Sequence, residues 1–137
     1  MMFHFQVRVY WEDTDAGGIV FYANYLKFFE RARTEWLRAL GVEQHRLRAE
    51  TGGMFIVSAT DMRYHRPSRL DDLLWVSAHP MQVGRASAVI VQTARLGHAE
   101  GPLLAEGTIR LGWVDGERLQ PARMPAGLHA LLQRHSQ

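Results

Sequence analysis

One stretch of this chain limits its fold more than any other. Between residues 24 and 40 lies the one long helix signal in the sequence. Tyr25, Leu26, Phe29, Ala32, Trp36, Leu37 and Leu40 fall on one broad apolar stripe at helical spacing, while Lys27, Arg31, Glu35 and Arg38 lie off it. Asn24 is placed as an N-cap, with a turn around Phe21 and Tyr22 as an earlier point for coiling to begin. Gly41 is the C-terminal stop. A bulky stripe this wide needs a sheet laid against it.

The rest of the chain is mostly strand. Phe3, Phe5, Val7, Val9 and Trp11 alternate with His4, Gln6, Arg8 and Tyr10, which predicts a half-buried strand over 3–11. After a second, shorter helix at 43–50 come strands at 54–65, 73–82, 86–96 and 103–114. Their turns are Val83-Gly84-Arg85, Gly97 to Pro102 and Asp115-Gly116. Residues 125–134 predict a short terminal helix. Only one helix alternates with strands, and short connections favour antiparallel neighbours. The expected fold is therefore α+β, a five-stranded antiparallel sheet curled around one central helix. The length of 137 residues predicts a single domain over 1–137.

Composition closes off several chemistries. With no cysteine there is no disulfide, thiolate metal site or cysteine nucleophile. The seven histidines contain no i,i+4 pair with acidic company, so no zinc site or other metal is expected. No Ser sits in G-x-S-x-G, and both phosphate-binding glycine fingerprints are absent. A formal charge of +2 is no nucleic-acid signature. The N-terminus has no signal-peptide pattern and no apolar run is long enough to span a membrane, so a soluble, cytoplasmic protein is expected.

What remains is the acidic, glycine-rich turn between the first strand and the helix, with Glu12, Asp13, Asp15, Gly17 and Gly18. The first N–H groups of a helix are unpaired and carry partial positive charge, so they hold a carboxylate or a developing oxyanion. Asp15 directly precedes Ala16-Gly17-Gly18, where a backbone without side chains lets a ligand approach. It is the candidate general base or nucleophile on an electrophilic carbonyl. The competing reading is a turn aspartate bonded to its own backbone. Gly17, Gly18 and Asn24 are the candidate substrate-contacting positions around it.

The run Glu12-Asp13-Thr14-Asp15-Ala16-Gly17-Gly18-Ile19-Val20-Phe21-Tyr22-Ala23-Asn24-Tyr25, continued by Phe29-Glu30-Arg31-Ala32-Arg33, resembles the 4-hydroxybenzoyl-CoA thioesterase family of the hotdog fold. It is most similar to the Tol-Pal-associated acyl-CoA thioesterase branch. Tyr64-His65-Arg66-Pro67-Ser68-Arg69-Leu70-Asp71-Asp72 is similar to the family's Tyr-x-x-Pro-x-x-x-x-Asp stretch. The resemblance implies a homodimer or homotetramer with sites at the subunit interface, an acyl-CoA substrate, and no metal or cofactor. It places Asp15 at the catalytic aspartate, and Tyr22 where a backbone N–H polarises the thioester carbonyl. Many members of the branch carry histidine at the position of Tyr22, whereas the hydroxybenzoyl-CoA enzymes carry tyrosine; a backbone donor survives either residue. CoA phosphates need cations, for which Arg85 is the first candidate, with Arg118 and Arg123 behind it.

Two other classes are set beside this one. A non-catalytic module binding acyl-CoA or an acyl carrier protein does not need a reactive carboxylate. A hotdog dehydratase generally pairs a histidine with an acid, and no histidine lies between His4 and His45.

Overall fold

A computed structural model describes residues 2–136. Strand β1 (Phe3–Arg8) is followed by a 3-10 turn at Trp11–Asp13 and another at Tyr22–Asn24, which runs straight into helix α1 (Tyr25–Ala39). Helix α2 (Gln44–Thr51), strands β2 (Gly53–Tyr64), β3 (Leu73–Val83), β4 (Ser87–Leu96) and β5 (Leu103–Asp115), and helix α3 (Ala126–His135) complete the chain. The five strands form one sheet in the order β1-β3-β4-β5-β2, and every neighbouring pair is antiparallel. The expected sheet around a central helix, the hotdog arrangement, is what forms.

The helix lies in the curl because its stripe and the inner sheet face are both apolar. Phe28, Phe29 and Ala32 are fully buried against Leu74, Val76, Ile90, Ala94, Ala105 and Ile109. Gly107 on β5 allows the close approach. A Cβ there would stand 2.8 Å from the Phe29 ring and 2.5 Å from the Met62 sulfur. Gly41, at φ 90°, stops the helix as expected. Its N–H donates to the Arg38 carbonyl, and the Val42 N–H reaches back to Leu37 at 2.8 Å, the Schellman pattern.

One polar residue joins helix to sheet. Gln92 on β4 is 1% exposed and points at α1. Its Nε2 donates to the carbonyls of Phe29 (2.9 Å) and Ser77 (3.1 Å), and its Oε1 accepts from Arg33 Nη1 (2.9 Å). Burial lowers the pKa of the Arg33 guanidinium from its ordinary value, while Glu30 acts in the opposite sense.

Three local expectations are corrected. Strand β1 ends at Arg8, and Trp11, expected on the inner face, is 79% exposed because the chain has already coiled into the 3-10 turn. Leu26, placed in the helix stripe, is 41% exposed. Asn24 does not cap α1 through its side chain, because coiling begins at Tyr22 and Asn24 is itself helical in conformation.

Candidate active site

The acidic turn is a small hairpin at one pole of the sheet. The Asp15 N–H donates to the Ile19 carbonyl (2.9 Å), and the Gly18 N–H returns to the Asp15 carbonyl (3.0 Å). Gly18 sits at φ 79°, a left-handed conformation that glycine adopts without the cost of a Cβ. A bridge between Thr14 and Val20 closes the hairpin, and a second joins Ile19 to Arg69. The Val20 N–H donates to the Ser68 carbonyl at 2.8 Å. The turn is thus fixed to the β2–β3 connection.

The three acids of the turn have different fates. Glu12 is exposed. Asp13 is 5% exposed. Its Oδ1 accepts from Asn24 Nδ2 and its Oδ2 from the Tyr10 N–H, both at 2.8 Å. Its carbonyl accepts the Phe21 N–H at 2.9 Å. Asp15 is exposed. Its Oδ1 accepts the Gly17 N–H at 2.8 Å, while Oδ2 has no hydrogen-bond partner among the described residues. The turn-aspartate reading and the reactive reading therefore coexist: one oxygen fixes the side chain and the other is free. A Cβ on Gly17 would stand 3.2 Å from that fixed oxygen, so the glycine leaves room for the carboxylate.

Tyr22 opens the 3-10 turn that leads into α1, with its side chain 63% exposed. Its backbone N–H finds no acceptor among the described residues. A free carboxylate oxygen and a free N–H at a coiled N-terminus thus lie on one loop, with two glycines between them in the chain. Such a pair can activate a nucleophile at a carbonyl and receive the oxygen's developing charge.

An aromatic cluster that sequence reasoning did not single out lines the same pole. The Tyr22 and Tyr64 rings meet edge to face, 6.1 Å between centroids. Tyr25 lies 5.8 Å from Tyr64. The Tyr25 hydroxyl is buried and bonded to Ser68 Oγ at 2.6 Å. Burial raises the Tyr25 phenol above its ordinary value; Ser68 opposes that, and Asp72 and Tyr64 add to it. Burial also raises Tyr64, assisted by Tyr22. The signal was present in the Tyr-x-x-Pro stretch, which carries both Tyr64 and Ser68.

The structure does not bring Arg85, Arg118 or Arg123 to this pole. Arg85 lies in the β3–β4 turn, just past Val83, and Arg118 follows β5. Asp15 sits beyond the other end of β3, near Leu73. That strand has 11 residues, about 35 Å at roughly 3.3 Å per residue. Arg118 donates its N–H to Asp115 Oδ1 at 3.3 Å, and Arg123 borders a hollow with Gly53, Trp113 and Asp115. Asn24, expected to touch substrate, turns its amide inward to Asp13. Among the described residues no cluster of His, Asp or Glu converges as a metal site, and no helix is long and apolar enough to cross a membrane.

Fold and site together define a class. The sequence profile of the thioesterase-like superfamily matches residues 9–132, and the chain belongs to that superfamily. It is an enzyme of the thioester-hydrolase class. Among individual relatives, it is 40% identical over 129 residues to the acyl-CoA thioester hydrolase YbgC of Escherichia coli O157:H7, covering 94% of each chain. It is 39% identical to the acyl-CoA thioesterase YbgC of Haemophilus influenzae, covering 93% of this chain and 92% of that one. Among solved structures, a probable thioesterase from Bartonella henselae superposes with a TM-score of 0.79 at 30% identity, covering 91% of this chain and all of the other. A Thermus thermophilus protein superposes at 0.89, with 26% identity and 98% of each chain covered.

Proposed function

We propose that this chain hydrolyses an acyl-CoA thioester to the free acid and CoA. The observation that carries the reading is that the free Asp15 Oδ2 and the unpaired Tyr22 N–H belong to one loop at one pole of the sheet. The YbgC relatives, named for this reaction, support it. The thioester carbonyl oxygen points at the Tyr22 N–H. Asp15 takes a proton from water as the water oxygen adds to the carbonyl carbon. Negative charge gathers at Tyr22, the carbon–sulfur bond breaks, and the CoA thiolate takes up the proton. Direct attack by Asp15, giving a mixed anhydride that water then opens, is compatible with the same geometry. Gly17 and Gly18 leave space for the thioester, and Asn24 acts behind the surface through Asp13.

The working form in this proposal is a homodimer. Asp15, Gly17, Gly18 and Tyr22 are all exposed, whereas acyl transfer gains from a site closed to water. The 12-residue strand β2 is an uncovered edge, with Ile56 38% and Val57 50% exposed. Bare edges invite strand pairing. Antiparallel pairing of two β2 strands about a two-fold axis sets the Tyr64 end of one beside the Gly53 end of the other. Gly53 pairs with Asp115, so the second copy carries its Arg85 and Arg118 pole toward the first copy's Asp15. That adds the second copy's cations to Arg69, which is bridged to the first copy's hairpin, as partners for CoA phosphates. An acyl carrier protein in place of CoA is the alternative thiol carrier.

Free-thiol release from short, long and aromatic acyl-CoAs, with wild type beside Asp15→Asn, tests the reading. Turnover of one class by wild type and its loss in the variant sustain it. Equal release by both removes Asp15 from the mechanism. Binding without release by either favours a non-catalytic acyl-CoA module.

A further inference from the structure

The other buried acid of the turn has a role that the reaction scheme leaves unassigned. Asp13 joins three separate parts of the chain. Through Oδ2 it holds the Tyr10 N–H, where the chain leaves β1. Through Oδ1 it holds the Asn24 amide, at the last residue before α1. Through its carbonyl it holds the Phe21 N–H, immediately before Tyr22. Both side chains are almost wholly buried, Asp13 at 5% and Asn24 at 7% exposure. A carboxylate can only accept, so the Asn24 amide must present its NH₂ to it, and the pairing is chemically one-way. The Asp15 hairpin hangs from one side of this clamp and the Tyr22 N–H from the other.

The geometry points to Asp13 and Asn24 as positioning residues that set the separation between the Asp15 carboxylate and the Tyr22 N–H. The two reacting groups must face one carbonyl from different sides, and both side chains are exposed. Asp15 is held by its hairpin, which the Ile19–Arg69 bridge and the Val20–Ser68 bond tie to the β2–β3 connection, and Tyr22 by the coil that starts at it and by the ring contact with Tyr64. The clamp is the buried side-chain tie between the strand end that carries the Asp15 hairpin and the coil that carries Tyr22. It also explains why the acid at 13 is not the reactive one: its oxygens are spent on Tyr10 and Asn24. The inference rests on the hydrolysis proposed at Asp15.

The test uses the full chain and thiol release from whichever acyl-CoA wild type turns over. The variants are Asn24→Ala, Asp13→Ala, Asp15→Asn and the exchange pair D13N/N24D. In the exchange pair the amide at 13 keeps an oxygen for the Tyr10 N–H and gives its NH₂ to the carboxylate at 24, so the clamp is rebuilt with its polarity reversed. Loosening the clamp should lower kcat by roughly 10- to 100-fold, the range that small misplacements of reacting groups produce. KM should stay within about threefold. The exchange pair should recover most of the lost kcat. Thermal melts show which variants are folded; if Asp13→Ala does not fold, Asn24→Ala and the exchange pair carry the comparison. A folded exchange pair as slow as Asn24→Ala overturns the inference, as does an Asn24→Ala protein that melts lower yet turns over at the wild-type rate. In both cases Asp15→Asn is still inactive, so the hydrolysis reading stands. If Asp15→Asn is as fast as wild type, the role of Asp15 in the hydrolysis and the inference fall together.

Discussion

Asp13 and Asp15 are two residues apart, on the same turn, with the same side chain, and the fold uses them in opposite ways. Asp13 is buried with both carboxylate oxygens bonded. Asp15 is exposed with one oxygen bonded to its own turn and one free. The difference comes from the backbone between them. The 3-10 turn at Trp11–Asp13 rotates the first acid inward, and the hairpin closed by Gly18 lifts the second outward. What a carboxylate contributes is set by how many of its acceptor sites the protein has already filled. A filled one stabilises and a half-filled one is left for chemistry.

The sharpest way to break this contrast is Asp15→Asn. It keeps the shape and the Gly17 contact, and turnover should fall by about 10²–10⁴-fold, the usual worth of a general base. Its unfolding free energy should stay within about 0.5 kcal/mol of wild type. In Asp13→Ala the stability should respond as well. Chemical denaturation should show a loss of about 1–3 kcal/mol, because the Asn24 amide is left buried and unpaired. A drop in stability for Asp15→Asn with none for Asp13→Ala would reverse the roles assigned here.

A second pair of measurements asks whether the exposed acid depends on assembly. The double variant I56K/V57K places charges on the bare β2 edge. Sedimentation should show a smaller species, and specific activity should fall with it, while the far-UV spectrum is kept. Full activity in a sedimenting monomer would show that Asp15 needs no second copy. Next comes Gly18→Ala. At φ 79° a Cβ costs about 1–2 kcal/mol, and the distortion falls on the Asp15 hairpin, so kcat should drop more than the melting temperature does.

The smallest effect concerns the tyrosine beneath the site. Tyr25 has its phenol pKa raised, chiefly by burial. The folded state therefore favours the neutral phenol. Its contribution is fully present below the unfolded value near 10 and is lost as pH rises through the higher folded value. Tyr25→Phe should lose about 1 kcal/mol at neutral pH through the Ser68 bond. It should also show a shallower decline in stability at alkaline pH than wild type, measured by denaturant titration.

Much of this arrangement was legible in the residues. The helix was readable because its stripe is bulky and ends at a glycine with no competing signal. The strands were readable because their turns carry Gly, Pro and Asp at the right spacing. The candidate turn stood out because an acid beside two glycines ahead of a helix leaves a ligand room to approach, and the family resemblance, more than the residues themselves, favoured Asp15 within it. Other features were not legible, and for identifiable reasons. Nothing in Glu12-Asp13-Thr14-Asp15 says which acid turns inward, since that depends on a 3-10 turn stabilised by its partners. Trp11 fits the strand rhythm and yet lies outside the strand. The distance of Arg85 and Arg118 from Asp15 follows from strand direction, since both arginines lie past the Val83 end of the sheet and the Asp15 turn past the Leu73 end. β1 pairs with β3 and β2 crosses to the far edge, so neighbours in sequence are not neighbours in the sheet.

The bond between Gln92 and the Phe29 carbonyl has a consequence for motion. Sliding α1 along the sheet, or rolling it, breaks the contacts of buried Gln92 to Phe29 and Arg33 together. The helix is therefore a fixed rail. Its amides from Phe29 onward should be among the slowest to exchange with deuterium, and the loop of residues 11–21 among the fastest. Opening and closing at this site fall to the short loop ahead of the rail and to whatever comes to lie across it. Any adaptation to acyl groups of different size must be made there and not by shifting the helix.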